Sequence, residues 1–254
     1  MSPSDPLFGL QDTVVLVAGA GSGFGAPAAR ELAARGAKLM LTDLDADRAR
    51  PALPADLAPE RGAVAAMDIC DEAAIARAVQ ACVDRFGRLD GVVNAAGVFH
   101  IAPAETLDVA DFRRTLEANL VGPFLLTRVA ARAMTDHGGR IVHLASVSAQ
   151  VANPHYAAYA ASKAGLAQAV RVMARELAPK RITVNAIGPA MTETGLTAPY
   201  LADPDWLSRA RSQIPMGRLG TPQDILATLI LLLAPGGAFI TGQTIYPDGG
   251  RTLV

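Results

Sequence analysis

Short runs of consecutive apolar residues alternate with longer, alanine-rich stretches from one end of the chain to the other. The apolar runs predict strands at 13–18, 38–42, 63–67, 91–94, 140–145, 182–187 and 244–246. The stretches between them predict helices at 25–35, 47–57, 71–86, 108–136, 155–178 and 221–234. Several of the strands show no polar alternation, Val14-Val15-Leu16-Val17 being one. A strand of that kind is covered on both faces by helices, which is the situation inside a parallel sheet. Regular β/α alternation therefore predicts an α/β fold, a doubly wound parallel sheet, in a single domain over 1–254. No Ser/Gly-rich linker, composition shift or internal repeat divides the chain. Pro27 falls in the first turn of its helix, where its missing N–H has no intrahelical partner anyway.

Composition narrows the function classes. A chain of 254 residues can bury a large core without disulfides or metals. The residues are 51% hydrophobic but only 5% aromatic, and 50 are alanine, which favours closely packed elements. Lys and Arg total 23 against 24 Asp and Glu, so the basic excess of a nucleic-acid binder is missing and no nucleic acid partner is expected. Cys70 and Cys82 have neither C-x-x-C nor metal-like spacing and read as reduced thiols of a cytoplasmic protein. Met1–Asp12 has no basic segment followed by an apolar leader, and the apolar run at 225–234 is shorter than the ~20 residues that cross a bilayer. No membrane partner is expected. His100, His137, His143 and His155 lack a second ligand at zinc spacing, so no metal site is expected. His100 and His155 could each line a substrate cavity or be ordinary lone histidines.

Three local patterns carry chemistry. The first strand runs into Gly19-Ala20-Gly21-Ser22-Gly23-Phe24-Gly25, and a helix follows. Glycines allow a sharp turn and close approach to a pyrophosphate, and the helix start offers free N–H groups and a positive dipole end. Gly19, Ser22, Gly23, Phe24 and Gly25 are thus candidate cofactor-binding residues. Asp43 closes the second strand, eighteen residues beyond Gly25. A carboxylate there can accept both ribose hydroxyls of an adenosine and repels a 2′-phosphate. No Arg or Lys follows it immediately, which favours NAD over NADP, while Asp45 or Asp47 can cap the next helix. Third, Tyr159-Ala-Ala-Ser-Lys163 sets a phenol and an ammonium on one helix face. A cation ~4 Å from a phenol is worth roughly 4 kcal/mol at an effective dielectric of ~20, about three pKa units.

These patterns stand among others in a fixed order: Asn94-Ala-Ala-Gly97, Asn119 in Glu-Ala-Asn-Leu, Ser146 thirteen residues before Tyr159, Asn185-Ala-Ile-Gly-Pro189, the segment 214–224 and Asp248-Gly-Gly250. Over approximately residues 9–250 the chain resembles the short-chain dehydrogenase/reductase family. The resemblance implies a Rossmann fold with a seven-stranded parallel sheet of order 3-2-1-4-5-6-7 and helices on both faces. It implies catalytic roles for Asn119, Ser146, Tyr159 and Lys163. Tyr159 would be the general acid/base, Lys163 would lower its pKa and bind the nicotinamide ribose, Ser146 would hold the substrate oxygen, and Asn119 would hold a water leading from Lys163 to solvent. Asp68 and Ile69 match an adenine-flanking pair, Asn94 a position near the adenosine ribose, and Thr192 a contact to the nicotinamide carboxamide, with Thr194 close behind. Asp68 could instead cap the helix at 71–86.

Three departures from the family pattern are Ala18 for a threonine, Ala95 for a second asparagine, and Ala190 for a glycine. They bear on local rigidity and leave the catalytic four untouched. The resemblance thus implies an NAD-dependent oxidoreductase interconverting a secondary alcohol and a ketone, with a small-molecule substrate chosen by a loop at about 190–215. That loop offers no Arg or Lys before Arg209, which weakly disfavours a highly anionic substrate. Alternatives are a 3-oxoacyl thioester reductase, acting on acyl-carrier-protein or CoA thioesters, and a non-catalytic NAD-sensing regulator. Alanines are dense from Ala157 to Ala169, on the helix that packs between subunits in this family, so a homotetramer is expected.

Overall fold

The structure, a computed structural model, describes residues 5–134 and 137–254. Residues 1–4 of the amino-terminal segment and Thr135 and Asp136, at the end of the helix expected over 108–136, lie outside the described residues. Seven strands form one sheet: β1 (Val14–Ala18), β2 (Lys38–Asp43), β3 (Gly62–Ala66), β4 (Gly91–Asn94), β5 (Gly139–Leu144), β6 (Ile182–Ile187) and β7 (Thr244–Ile245). Their order is β3-β2-β1-β4-β5-β6-β7 and every pairing is parallel, as the resemblance implied.

The absence of polar alternation in the strands has its expected cause. Leu16 of β1, with Val92 and Ile141, packs into a core shared with α3 (Glu72–Phe86), α5 (Gly122–Ala133) and α6 (Ala157–Leu177) through Ile75, Leu126 and Leu166. Val15 and Val17, with Val93 and Val142, point the other way, into a second core under α1 (Gly25–Ala34) and α9 (Leu226–Leu233). Alternate strand residues enter opposite faces, and both faces are dry. Each fully buried Leu or Ile removes apolar area worth about 1.5–3 kcal/mol from water. A third, small cluster of Val147, Ala190, Ile214 and Leu219 lies beneath the segment that follows β6.

Three helices differ from expectation, each for a local reason. The one expected at 47–57 shrinks to α2 (Ala46–Ala49) and a 3-10 turn Arg50–Ala52, because Leu53 is extended before Pro54. The long one at 108–136 is α4 (Val109–Leu116) and α5 joined by a π turn Glu117–Val121. There Gly122 N–H reaches the carbonyl of Glu117, five residues back. Pro123 follows at once; it has no N–H to offer Asn119 and its ring needs room there, so the helix widens just before it. The segment at 190–215 is not all loop but carries α7 (Ala198–Leu201) and α8 (Pro204–Ser212). Asp203 caps α8 by accepting from Asp205 and Trp206 N–H, with Pro204 in the first turn.

Candidate active site

In a parallel sheet all strands end on the same edge, so the loops after β1, β2, β4, β5 and β6 gather there. Gly19 and Ala20 N–H both donate to Thr42 O at 2.9 Å, which ties the glycine loop to β2 without the threonine hydroxyl absent at Ala18. Gly19 has φ +75°, and a Cβ on it would lie 2.6 Å from Ala96 N in the loop after β4. A Cβ on Gly25 would lie 2.1 Å from Gly19 O, so only glycine lets α1 start this close to the loop. Phe24 stands at the helix start, and no side chain caps α1. Space beside Gly23 is open. Ser22 serves the loop through its carbonyl, which accepts Gly25 N–H.

Asp43 is 9% exposed. Its Oδ2 accepts Gly21 N–H and its Oδ1 accepts Leu44 N–H, both at 2.9 Å. Asp45, not Asp43, caps α2. The sequence reading missed one neighbour: α2 swings Arg48 back to within 3.6 Å of Asp43 Oδ1. Asp68 is exposed and accepts Cys70 N–H, while Asp71 caps α3, so the cap expected of Asp68 belongs elsewhere. Ile69 is buried, its carbonyl against Gly122. Asn94 is held by a buried chain. Thr127 Oγ1 donates to Pro123 O at 2.9 Å, so it accepts from His143 Nε2 at 2.8 Å. His143 Nδ1 is then the acceptor for Asn94 Nδ2 at 3.3 Å, and Asn94 Oδ1 accepts Ala96 N–H. Burial pushes His143 down to about 3, so the ring stays neutral and its tautomer is fixed by these partners.

The remaining candidates converge across β5 and α6. Tyr159 and Ser146 are within hydrogen-bonding reach; burial pushes the phenol up to about 12 and the Ser146 hydroxyl opposes this. Lys163 is 6% exposed, lies 5.6 Å from the Tyr159 ring centroid and donates to Leu144 O at 2.7 Å. The lowered phenol pKa expected of this pair is therefore not realised: the ammonium is held on a carbonyl, and desolvation dominates. Burial also lowers Lys163, to about 8, which leaves it mostly charged at pH 7. No carboxylate pairs with it among the described residues. Asn119, fully buried in the π turn, clamps Val98: Oδ1 accepts its N–H at 2.8 Å, and Nδ2 donates to its carbonyl at 2.9 Å. Nδ2 also reaches Ser162 Oγ at 3.2 Å, so the amide is spent on positioning the loop after β4.

Ser146 and Tyr159 open into a cavity of about 410 Å³ bounded by Phe99, Thr192 and α8. Thr192 is buried and donates to Ala190 O at 2.9 Å; its main chain bridges to Gly220, and Thr194 also lines the cavity. Of the two histidines left open by the sequence, His155 lines the cavity, at φ +72°, while His100 lies 3.4 Å from Asp111. Phe99 and Tyr156 line the cavity from the loops at 98–102 and 148–156, both expected from the sequence above the nicotinamide, whereas Arg251, from the turn that follows β7, was not expected here. No group of side chains suited to a metal ion occurs among the described residues.

Comparison with known proteins agrees with the fold. Residues 19–252 match the sequence model of a family described as enoyl-(acyl carrier protein) reductase. The chain is similar to D-threitol dehydrogenase of Mycolicibacterium smegmatis, 39% identical over 97% of this chain and 95% of that one. It is similar to trans-4-hydroxycyclohexanecarboxylate dehydrogenase of Sinomonas cyclohexanicum, 36% identical over 95% and 93%. A crystal structure of 3-ketoacyl-(acyl-carrier-protein) reductase from Brucella melitensis complexed with NADH superposes with a TM-score of 0.87. It is 32% identical, and the match covers 96% of this chain and 99% of that one.

Proposed function

The chain belongs to the short-chain dehydrogenase/reductase family and is an oxidoreductase of CH–OH groups, and from that premise we propose that it uses NAD to interconvert a secondary alcohol and a ketone, with Tyr159 moving the proton. The observation that carries the reading is that Ser146 and Tyr159, with Lys163 beside the Tyr159 ring, face a half-open cavity that Phe24 of the glycine loop also lines.

The residues present fit a nicotinamide dinucleotide. The start of α1 has no capping side chain, the space beside Gly23 is open, and Lys163 is a buried cation without a carboxylate partner among the described residues. Gly19, Ser22, Gly23, Phe24 and Gly25 would hold the pyrophosphate, with Asp43, Asp68, Ile69 and Asn94 around the adenosine. Lys163, Tyr159 and Thr192 would serve the nicotinamide end. Asp43 supports NAD over NADP, since its carboxylate would face a 2′-phosphate; Arg48 at 3.6 Å weakens that repulsion without removing it. When bound, the dinucleotide supplies the hydride donor or acceptor.

Tyr159 gives its proton to the developing alkoxide in ketone reduction and takes one from the alcohol in oxidation. With the phenol pushed up to about 12, it is fully protonated at neutral pH and is poised as a donor. Ser146 Oγ steadies the substrate oxygen while its charge changes, and the charge on Lys163 favours the phenolate when the proton leaves. Asn119 acts one step removed, by fixing Val98 and through Ser162, whose hydroxyl donates to Tyr159 O at 2.7 Å. A screen of alcohols and ketones with NADH and NADPH tests the reading; turnover of none, or preference for NADPH, refutes it. The same screen decides the thioester-reductase alternative through acetoacetyl thioesters. The complete catalytic set argues against a non-catalytic NAD-sensing regulator.

The domain is read as single over 1–254, with the substrate segment at about 190–215. We take the protein to be cytoplasmic; no described helix is long and apolar enough to cross a membrane. A homotetramer is supported by α6, which leaves Val172 exposed beside its small residues, and by exposed Phe124 on α5. Light scattering giving a monomer would refute it.

A further inference from the structure

The cavity carries a charge pattern that proton transfer does not need. Two arginines line it, Arg209 on α8 and Arg251 in the 3-10 turn Arg251–Leu253, together with His155. No aspartate or glutamate lines it among the described residues. Neither arginine forms an ion pair with a side-chain carboxylate there, whereas Arg48, Arg88 and Arg218 elsewhere do. Arg251 is only 8% exposed, and its Nη2 donates to Asn153 Oδ1 at 2.9 Å and Gln213 Oε1 at 3.4 Å. Its Nη1 donates to the main-chain oxygen of Val254 at 3.1 Å. Arg251 is thus held in place by its own partners, whereas the Arg209 side chain meets no acceptor or carboxylate among the described residues, and a guanidinium bonds most strongly to an anion.

Placement ties these charges to the reacting end. Rings lead away from Tyr159 in edge-on steps, to Phe99 at 4.8 Å and on to Tyr200 at 5.0 Å, and then to Trp206 at 5.8 Å. Arg209 on α8 and Gln213 at its C-terminal cap follow Trp206 by three and seven residues, on the same side. Phe99 and Trp206 line the cavity and Tyr200 joins them from outside the lining, so an apolar wall runs from the proton-transferring hydroxyl to a cationic end. We propose that the substrate is a ring-bearing secondary alcohol or ketone that also carries a carboxylate, held by Arg209 and Arg251 at the α8 end of the cavity. This reverses the expectation that an anionic substrate is disfavoured, and it rests on the dehydrogenase reading above.

Trp206 is the chain's single tryptophan, so its fluorescence reports binding without turnover. Cyclohexanecarboxylate and cyclohexanecarboxamide, which carry no hydroxyl, are titrated into the protein. The carboxylate is expected to bind about tenfold or more tightly than the amide, the scale of a charge-assisted hydrogen bond. Arg209→Gln abolishes most of that preference, as does Arg251→Lys if it folds; Arg211→Gln, outside the cavity lining, leaves it intact. Equal binding of the two probes, or full preference retained in Arg209→Gln, overturns the proposal. A turnover arm compares 4-hydroxycyclohexanecarboxylate with 4-methylcyclohexanol, and Arg209→Gln should raise KM for the acid with little change in kcat. Oxidation of 4-methylcyclohexanol with no advantage for the acid overturns the anion site and leaves the dehydrogenase reading standing. Selective carboxylate binding with no turnover of any secondary alcohol supports the anion site and counts against the dehydrogenase reading.

Discussion

Moving the protein from pH 7 to pH 5 should cost about 2 kcal/mol of stability through His143 alone. The ring is fully buried in β5, donates from Nε2 to Thr127, and accepts at Nδ1 from Asn94, so no partner stabilises a second proton. Its folded-state pKa is depressed from 6.5 to about 3. The unfolded chain therefore binds a proton below its own pKa that the folded chain refuses. Stability is fully present above pH 6.5 and falls with pH until the folded ring also titrates, near 3. Between pH 7 and 5 the unfolded ring goes from about a quarter to nearly fully protonated, and at ~1.36 kcal/mol per pH unit the integral is ~1.9 kcal/mol. Any folded-state value below about 4 gives the same figure. Urea unfolding at pH 7, 6 and 5, at fixed protein concentration, measures it directly. His143→Gln keeps a donor toward Thr127 but cannot protonate in this range, so its loss over the same interval should be smaller by that amount. Equal slopes for wild type and variant would refute the assignment of His143 as a neutral, acid-refusing ring. The consequence reaches function, because His143 orients Asn94, and Asn94 holds Ala96 against Gly19.

Other consequences are more direct. Tyr159→Phe should lower kcat by about 10²–10⁴, the usual worth of general acid/base catalysis, while NADH titration shows binding little changed. Alcohol oxidation should rise steadily toward alkaline pH while ketone reduction stays flat from about pH 7 to 10, because a phenol pushed up to about 12 keeps its proton over that range; a reduction rate that falls between about pH 7 and 9 would contradict it. Asp43→Ala should weaken NADH binding and raise NADPH binding, since the carboxylate is lost and Arg48 stays beside the site; fluorescence titration of both cofactors reads the ratio. Gly25→Ala places a methyl 2.1 Å from Gly19 O, so α1 must shift; we expect a loss of about 1–3 kcal/mol in denaturant unfolding and weaker cofactor binding.

What the sequence by itself determined is what local periodicity and turn chemistry can encode. Strands buried on both faces are legible as unbroken apolar runs, and their parallel sense follows from strand–helix alternation, while their order came only from the family resemblance; β4 and β6 match the sequence reading to the residue. The glycine loop, Asp43 and the Tyr159–Lys163 pair are legible because their chemistry depends on short, fixed spacings. The helix α8 was legible in principle too, through Asp203-Pro204 before an apolar Trp206-Leu207, but a short amphipathic stretch is a weak periodic signal.

The tertiary structure alone decided what depends on distant segments meeting. Arg48 beside Asp43, and Arg251 joined to Asn153 across 98 positions, have no signature in spacing. The state of Tyr159 is another case: a four-residue spacing predicts a cation close enough to lower the phenol. The fold instead hands the ammonium to Leu144 O and packs the half-buried ring against Phe99 and Tyr156, so desolvation wins. Charge environments are sums over everything nearby, and dielectric is set by packing, so neither can be read from the chain before it is folded.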